Sequence, residues 1–365
     1  MRFLKAYTIN ILLLCIVVLS GCSTEKVLFP VMNDQGVFGY VDQKGNIVLP
    51  CEYEQARRFD NGYAVVRQDE KEGIINVNGK AVIPIEYDFI SIYDSIRGWY
   101  VVEKEEKEGV ISVNGDVIVP LIYDEVLFFN DNNACVKEDN KVFWYDIEDK
   151  NQHILCKDKS IRNLTWTNEP LFAYTQGEPK KVEGIDRAFP KQLSWTEKWG
   201  VIDENNNEVV PEKYDYIEGY AEGRTFAYLT EDNISASHAY LLDEKGKVIR
   251  AYEETEAIYQ FEDERAILID YRNGFGVIDR DGNWVIEPSF RYSTMKKQGD
   301  FICAMGNDGC TFYDLNGKKL IESQMDRAEY QNGYIVFYDE VEGSGLMDLS
   351  GKIVTRFPEG YMWTN

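Results

Sequence analysis

Short apolar, β-branched runs alternate along this chain with clusters of Asp, Asn, Ser and Gly, and the alternation itself repeats. One unit reads Gly39-Tyr-Val-Asp42-x-x-Gly45-Asn-x-Val-x-Pro50-x-x-Tyr53; it recurs from Gly73 to Tyr87, Gly109 to Tyr123, Gly200 to Tyr214 and Gly276 to Phe290. Copies without the proline surround Tyr145-Asp146, Leu242-Asp243, Tyr313-Asp314 and Met347-Asp348, which makes nine units, mostly 34 to 40 residues apart. Asp, Asn or Ser at the first position and Gly at the fourth is the chemistry of a type I turn closed by a residue with positive φ. In the fifth unit Asn206 stands in for the glycine, and in the fourth Asp149 breaks the rule. The flanks of each turn, Gly-Val-Ile before and Val-Ile-Val-Pro after, predict the two strands of a hairpin. A third strand is expected about ten residues on, at Tyr63-Ala-Val-Val66, Tyr100-Val-Val102, Ala134-Cys-Val136, Arg265-Ala-Ile-Leu268 and Tyr334-Ile-Val-Phe337. Pro50, Pro84, Pro120, Pro211 and Pro288 fall where the second strand should end, since proline donates nothing to a ladder.

Three short strands cannot bury a face alone, so neighbouring units must stack or pack radially. The expected fold class is all-β: an array of about nine three-stranded hairpin repeats, open and superhelical or propeller-like. A propeller blade usually takes four strands and about 40–45 residues, more than these units supply, which favours the open array. The units resemble the WG, or KWG, repeats found in many bacterial proteins. Lys198-Trp199-Gly200-Val-Ile-Asp203 matches the motif as named, whereas Phe38, Glu72, Glu108 and Phe275 replace the tryptophan elsewhere. The resemblance covers most of residues 36–355 and implies a β-repeat fold with an interaction role; it transfers no catalytic residue.

The amino-terminal pattern is different. Arg2 and Lys5 precede the run Ile11-Leu-Leu-Leu-Cys-Ile-Val-Val-Leu19 and then Ser20-Gly21-Cys22. That apolar run is too short for a bilayer, which takes about 20 residues, and reads as a secretory signal peptide over residues 1–21. Leu19-Ser-Gly-Cys22 resembles the lipobox of bacterial lipoproteins, which implies cleavage before Cys22 and its lipidation. The expected location is the extracytoplasmic side of a cell or outer membrane, with residues 22–26 as the lipidated cysteine and a short tether. Residues 27–155 then hold repeats one to four and residues 199–365 repeats five to nine.

Composition narrows the function. Without Arg2 and Lys5 the 39 basic residues become 37 against 63 acidic ones, a formal charge of −26 for the exported chain, which repels nucleic acid and anionic headgroups. Cys51, Cys135, Cys156, Cys303 and Cys310 are odd in number with no Cys-x-x-Cys pair, which supports neither a disulfide framework nor a zinc site. Cys303 and Cys310 could meet diagonally across a hairpin, though buried thiols acting as small apolar groups are the favoured reading. His153 and His238 sit in no nucleophile pattern, and the turn acids have a structural task. Asp279-Arg-Asp281-Gly282-Asn283 and Asp203-Glu-Asn-Asn-Asn-Glu208 have a superficial likeness to calcium loops but continue into strands, so plain turns are expected and no cofactor or metal is assigned.

One stretch departs from the repeat. Between the fourth and fifth units the spacing grows to 57 residues, and residues 156–198 hold eight Lys or Arg against six acids. Read as an insertion, this stretch offers Trp166, Tyr174, Trp195 and Trp199 as a candidate binding surface for an envelope protein or glycan. The alternative is a linker or cap whose rings tuck into the array, and the abundance of core aromatics in β-arrays favours it. The function expected is a membrane-anchored, non-enzymatic repeat protein that binds an envelope protein or polymer. The rival is a glycan-processing hydrolase on a propeller-like scaffold, for which two convergent acids in a deep pocket would be needed.

Overall fold

A computed structural model describes residues 26–94, 97–139, 141–156, 159–162, 170–176, 197–230, 237–341 and 343–363. These residues form nine four-stranded antiparallel sheets. Blades 1 to 8 follow one another along residues 55–87, 89–123, 125–156, 160–214, 216–253, 255–289, 294–323 and 327–356. Blade 9 combines residues 29–53 with the carboxy-terminal strand Tyr361–Met362, which pairs with Met32 and Asn33. The all-β class and the nine units are as expected, while each unit gains a fourth strand. Short segments such as Gln55–Ala56 and Phe89–Asp94, between the outer hairpin strand and the expected third strand, supply it. The open array that unit length favoured is not adopted, because those extra strands bring each unit up to a full blade.

Closure is visible in the packing. Nine apolar clusters join nine pairs of neighbouring blades, where an open row of nine would have eight. Val65, Ile74 and Ile83 of blade 1 meet Ile90, Tyr100 and Ile111 of blade 2, for example. The last interface sets Val336 and Leu346 of blade 8 against Phe29, Val31 and Val41 of blade 9, with Phe357 and Trp363 between them. Blade 9 in turn packs Tyr40 and Tyr53 against Phe59, Ala64 and Val66 of blade 1. The second strand of a blade thus buries both faces: Val65 toward blade 2, Ala64 and Val66 toward blade 9. A continuous apolar run follows from that, where a sheet with one wet face would alternate. The outermost strands of the blades form the rim and carry exposed Val117, Ile122, Val248, Ile353 and Val354.

The turns follow the expected chemistry. Gly45 N–H donates to the Asp42 carbonyl at 3.0 Å, and the Asp42 carboxylate accepts the amides of Lys44 and Asn46 at 2.8 and 2.9 Å. The glycines at this position have φ between +74° and +87°, and Asn206 has φ +62°. In the fourth unit the loop is one residue longer, so Lys150 rather than Asp149 takes the positive φ and Asp146 N–H reaches Asn151. The prolines differ from expectation: they do not end the strand. The outer strand of blade 9 runs Ile47–Tyr53 through Pro50, pairing Leu49 with Tyr40 and Tyr53 with Phe38, so two extra residues bulge outward from the ladder. Proline is tolerated there because this is an edge strand. The bulge settles on the glycine of the motif. A Cβ on Gly73 would stand 2.7 Å from Ile85 Cα, and one on Gly39 would stand 2.6 Å from the Leu49 carbonyl oxygen.

Candidate functional site

Of the residues singled out from sequence, Cys22, Trp166 and Trp195 lie outside the described residues. Tyr174 and Trp199 do not form an exposed surface: each is 1 % exposed. The stretch read as an insertion in fact supplies two regular strands of blade 4, Ser160–Arg162 and Leu171–Thr175. Tyr174 lies on the second of these and donates its hydroxyl to Glu208, while Trp199 begins the third strand, Trp199–Asp203, and packs with Val201, Val210 and Tyr214. Tucked rings, the alternative reading of this stretch, describe both residues. His153 is exposed on a rim strand and His238 is half-buried beside Tyr240. Cys303 and Cys310 are unbonded thiols directed at the carbonyls of Ala328 and Met325, at 3.5 and 3.4 Å. The Asp279 carboxylate is spent on its own turn, accepting from Asp281 and Asn283, and the Asp203 carboxylate likewise from Asn205 and Asn207. Among the described residues no group of His, Cys, Asp and Glu is arranged to hold a metal ion, and no helix is long and apolar enough to cross a membrane.

The repeated polar positions tie blade to blade. Lys71, two residues before the motif glycine, pairs with Asp88 at the entrance to the next blade, and Lys107 pairs with Asp124 at 2.7 Å. Lys198 and Asp215 repeat the contact in blade 4. Asp88 and Asp124 also accept the amides of Glu105 and Asp139, in the hairpin turn of their own blade, at 2.8 and 2.9 Å. These bonds hold both carboxyls below the ordinary range, the lysine contact being the largest cause. Where glutamate replaces the motif tryptophan, its carboxylate makes the inter-blade contact: Glu72 accepts Ile90 N–H and Glu108 accepts Val126 N–H, both at 2.7 Å. Arg57 completes the Glu72 site through two 3.1 Å bonds. Burial pushes the Glu108 carboxyl up, as it does Glu125. The recurring 17-residue interval between the Lys of Lys-x-Gly and the Asp of Tyr-Asp is the sequence signal for these ties, one that the turn and strand patterns alone do not bring out.

Blade 9 departs from the nine-fold pattern at its inner strand. Its inner strand, Tyr361–Met362, faces only Asn33 and Met32 before the chain leaves the ladder; Trp363 N–H then donates to Ser344 Oγ and the ring enters the core. The inner strands of blades 2, 3, 6, 7 and 8 have five to eight residues, and the two-residue ones of blades 1 and 5 are continued by backbone bonds from Arg57 to Val65 and from Glu218 to Phe226. Among the described residues, Phe29–Val31 therefore lack an inner partner, and blades 8 and 1 reach across the space. Arg58 pairs with Glu329 at 3.2 Å, and Asn332 Nδ2 donates to the Phe59 carbonyl at 3.5 Å. A cavity of about 520 Å³ remains, walled by Pro30 and Phe38 of blade 9, Gln55 and Arg58 of blade 1, and Glu329 and Gln331 of blade 8.

The WG containing repeat family matches residues 38–71, 73–107, 109–141, 199–230 and 275–293. No curated protein sequence matches the chain. Among solved structures, one described as a eukaryotic initiation factor shares 11 % identity with a TM-score of 0.56, covering 93 % of this chain and 98 % of its own. Dipeptidyl peptidase 4 of Porphyromonas gingivalis shares 11 % identity with a TM-score of 0.54, covering 82 % of this chain and 58 % of its own. At such identity the likeness is one of fold. The five matches fall on the motif-glycine strands, the Asp, Asn or Ser turns and the proline bulges of blades 9, 1, 2, 4 and 6: these segments of the chain match the WG containing repeat, and they are folded as blades of a closed β-propeller.

Proposed function

We propose that the protein is a lipid-anchored, non-enzymatic scaffold that holds a rigid ring next to a bacterial membrane and binds an envelope protein or polymer there. The observation that carries this reading is the use of the repeated polar groups. The turn carboxylates accept their own backbone amides, and the Lys–Asp and Glu–amide contacts lock one blade to the next, so the repeats build a frame. Both the blade 9 cavity and the polar cavity around Arg224, Arg265 and Arg280 are lined by acids, and several of these are already engaged: Glu54 and Glu329 pair with Arg67 and Arg58, and the Asp279 carboxylate accepts the amides of its own turn. Carboxylates held by arginines and turn amides favour the scaffold reading over the hydrolase one.

The lipobox-like Leu19-Ser-Gly-Cys22 supplies the anchor in this reading. Leu28, six residues after Cys22, is already fully buried, so the intervening chain spans at most about 22 Å when extended. A ring on so short a tether meets partners close to the bilayer. Metabolic labelling with an alkyne fatty acid tests the anchor: the label should be lost in Cys22→Ala, and protease should release the intact ring poorly at residues 23–26. Persistent labelling of Cys22→Ala would remove it. Cross-linking in intact cells then identifies the partner, and Trp166→Ala with Trp195→Ala asks whether those two rings take part in the contact.

A further inference from the structure

We propose that the cavity left by the truncated inner strand of blade 9 binds a neutral saccharide of one or two sugar rings. The inference rests on the reading of the chain as a binding scaffold and names a small ligand for it. An added β-strand does not suit the space: Pro30 sits on the uncovered edge and has no N–H to extend a ladder. About 520 Å³ lies within the usual range for small-ligand sites, roughly 300–1,000 Å³.

The walls select the chemistry. Every charge on them has a partner within the protein: Arg58 with Glu329 at 3.2 Å, Arg57 with Glu72 at 3.1 Å, Glu54 with Arg67 at 3.7 Å. A charged ligand would add a net charge to walls whose charges are already balanced, whereas a neutral one leaves that balance in place. Gln331 is 5 % exposed, and its side-chain oxygen is buried with no hydrogen-bond partner. A buried, unpaired amide oxygen is costly and calls for a donor. The Arg58 side chain is 57 % exposed, and its planar guanidinium keeps donors beyond the one given to Glu329. Hydroxyl groups donate to amide oxygens such as that of Gln331 and accept from a guanidinium such as that of Arg58, so a ligand that carries several of them suits these walls. Phe38 and Pro30 offer the apolar wall against which the C–H face of a sugar ring packs.

The test uses the full chain in mild detergent and titration calorimetry with cellobiose, lactose and N,N′-diacetylchitobiose, alongside glucuronic acid and inorganic phosphate. At least one neutral disaccharide should bind, and Gln331→Leu and Arg58→Gln should each weaken it by about tenfold or more. Arg58→Gln lies at a mostly exposed side chain and carries the test if Gln331→Leu does not fold. The proposal is overturned if no neutral disaccharide binds, if both folded variants bind as the parent does, or if glucuronate or phosphate binds in place of the neutral sugars. Those failures would leave partner cross-linking at the membrane unchanged, so the scaffold reading stands or falls separately.

Discussion

Gly73 and Glu106 show how differently single positions are constrained. Gly73 is required by crowding: any Cβ would press on the Ile85 backbone, so Gly73→Ala should cost about 1–3 kcal/mol in thermal or denaturant unfolding, as overpacking does. Glu105 and Glu106 have φ of +55° and +61°, the two left-handed positions of a type I′ hairpin turn filled by residues that dislike them. Glu106→Gly should therefore stabilise the fold by about 1 kcal/mol, and an unchanged or lower melting temperature would contradict the assignment. The Asp-x-x-Gly turns are legible in the sequence because their side chains advertise the conformation. The Glu105-Glu106 and Asp69-Glu70 turns are not, because nothing in an acidic pair signals positive φ. The burial of Tyr174 and Trp199 is hidden for a related reason: aromatic type does not say which side of a strand faces a neighbouring blade.

At the scale of strands and blades, polar ties of opposite pH dependence coexist. Asp88 and Asp124 have folded pKa values below their unfolded ones, so their contribution is complete above about pH 3.9 and is lost as pH falls through the depressed folded values. Glu108 is the reverse: burial raises its pKa, so ionising it costs stability as pH rises through and beyond the ordinary glutamate value of about 4.3. Glu108→Gln should thus raise the melting temperature at pH 7 and change little near pH 3, whereas Asp124→Asn should lower it at pH 7 and flatten the acid decline. Equal responses at both pH values would contradict these assignments. Hairpins and unit count are readable from turn spacing and β-branched runs. The inner strand is not: Gln55–Ala56 and Tyr216–Ile217 are two residues each, with no period to detect. Nor can spacing show that Pro50 bulges a strand rather than ending it, since that depends on the bare Gly39 beneath.

For the whole molecule, the distinction between an open array and a ring lies in residues with no repeat signature. Tyr361–Met362 and Trp363 come after the last turn motif, and Phe29–Asn33 before the first, so their pairing is a long-range contact that a repeat pattern cannot express. Trp363, 2 % exposed, fills the seam between blades 8 and 9. The same seam leaves the inner edge of Phe29–Val31 uncovered and so creates the cavity. Closure is therefore the claim on which the rigid frame and the candidate ligand site both depend. It is tested most directly by Met32→Cys with Met362→Cys, placed opposite each other across the closing strand pair, followed by mild oxidation and peptide mapping. A closed ring predicts a disulfide between residues 32 and 362 within one chain, independent of protein concentration. Free thiols at both positions, or bonds only between chains, would contradict it.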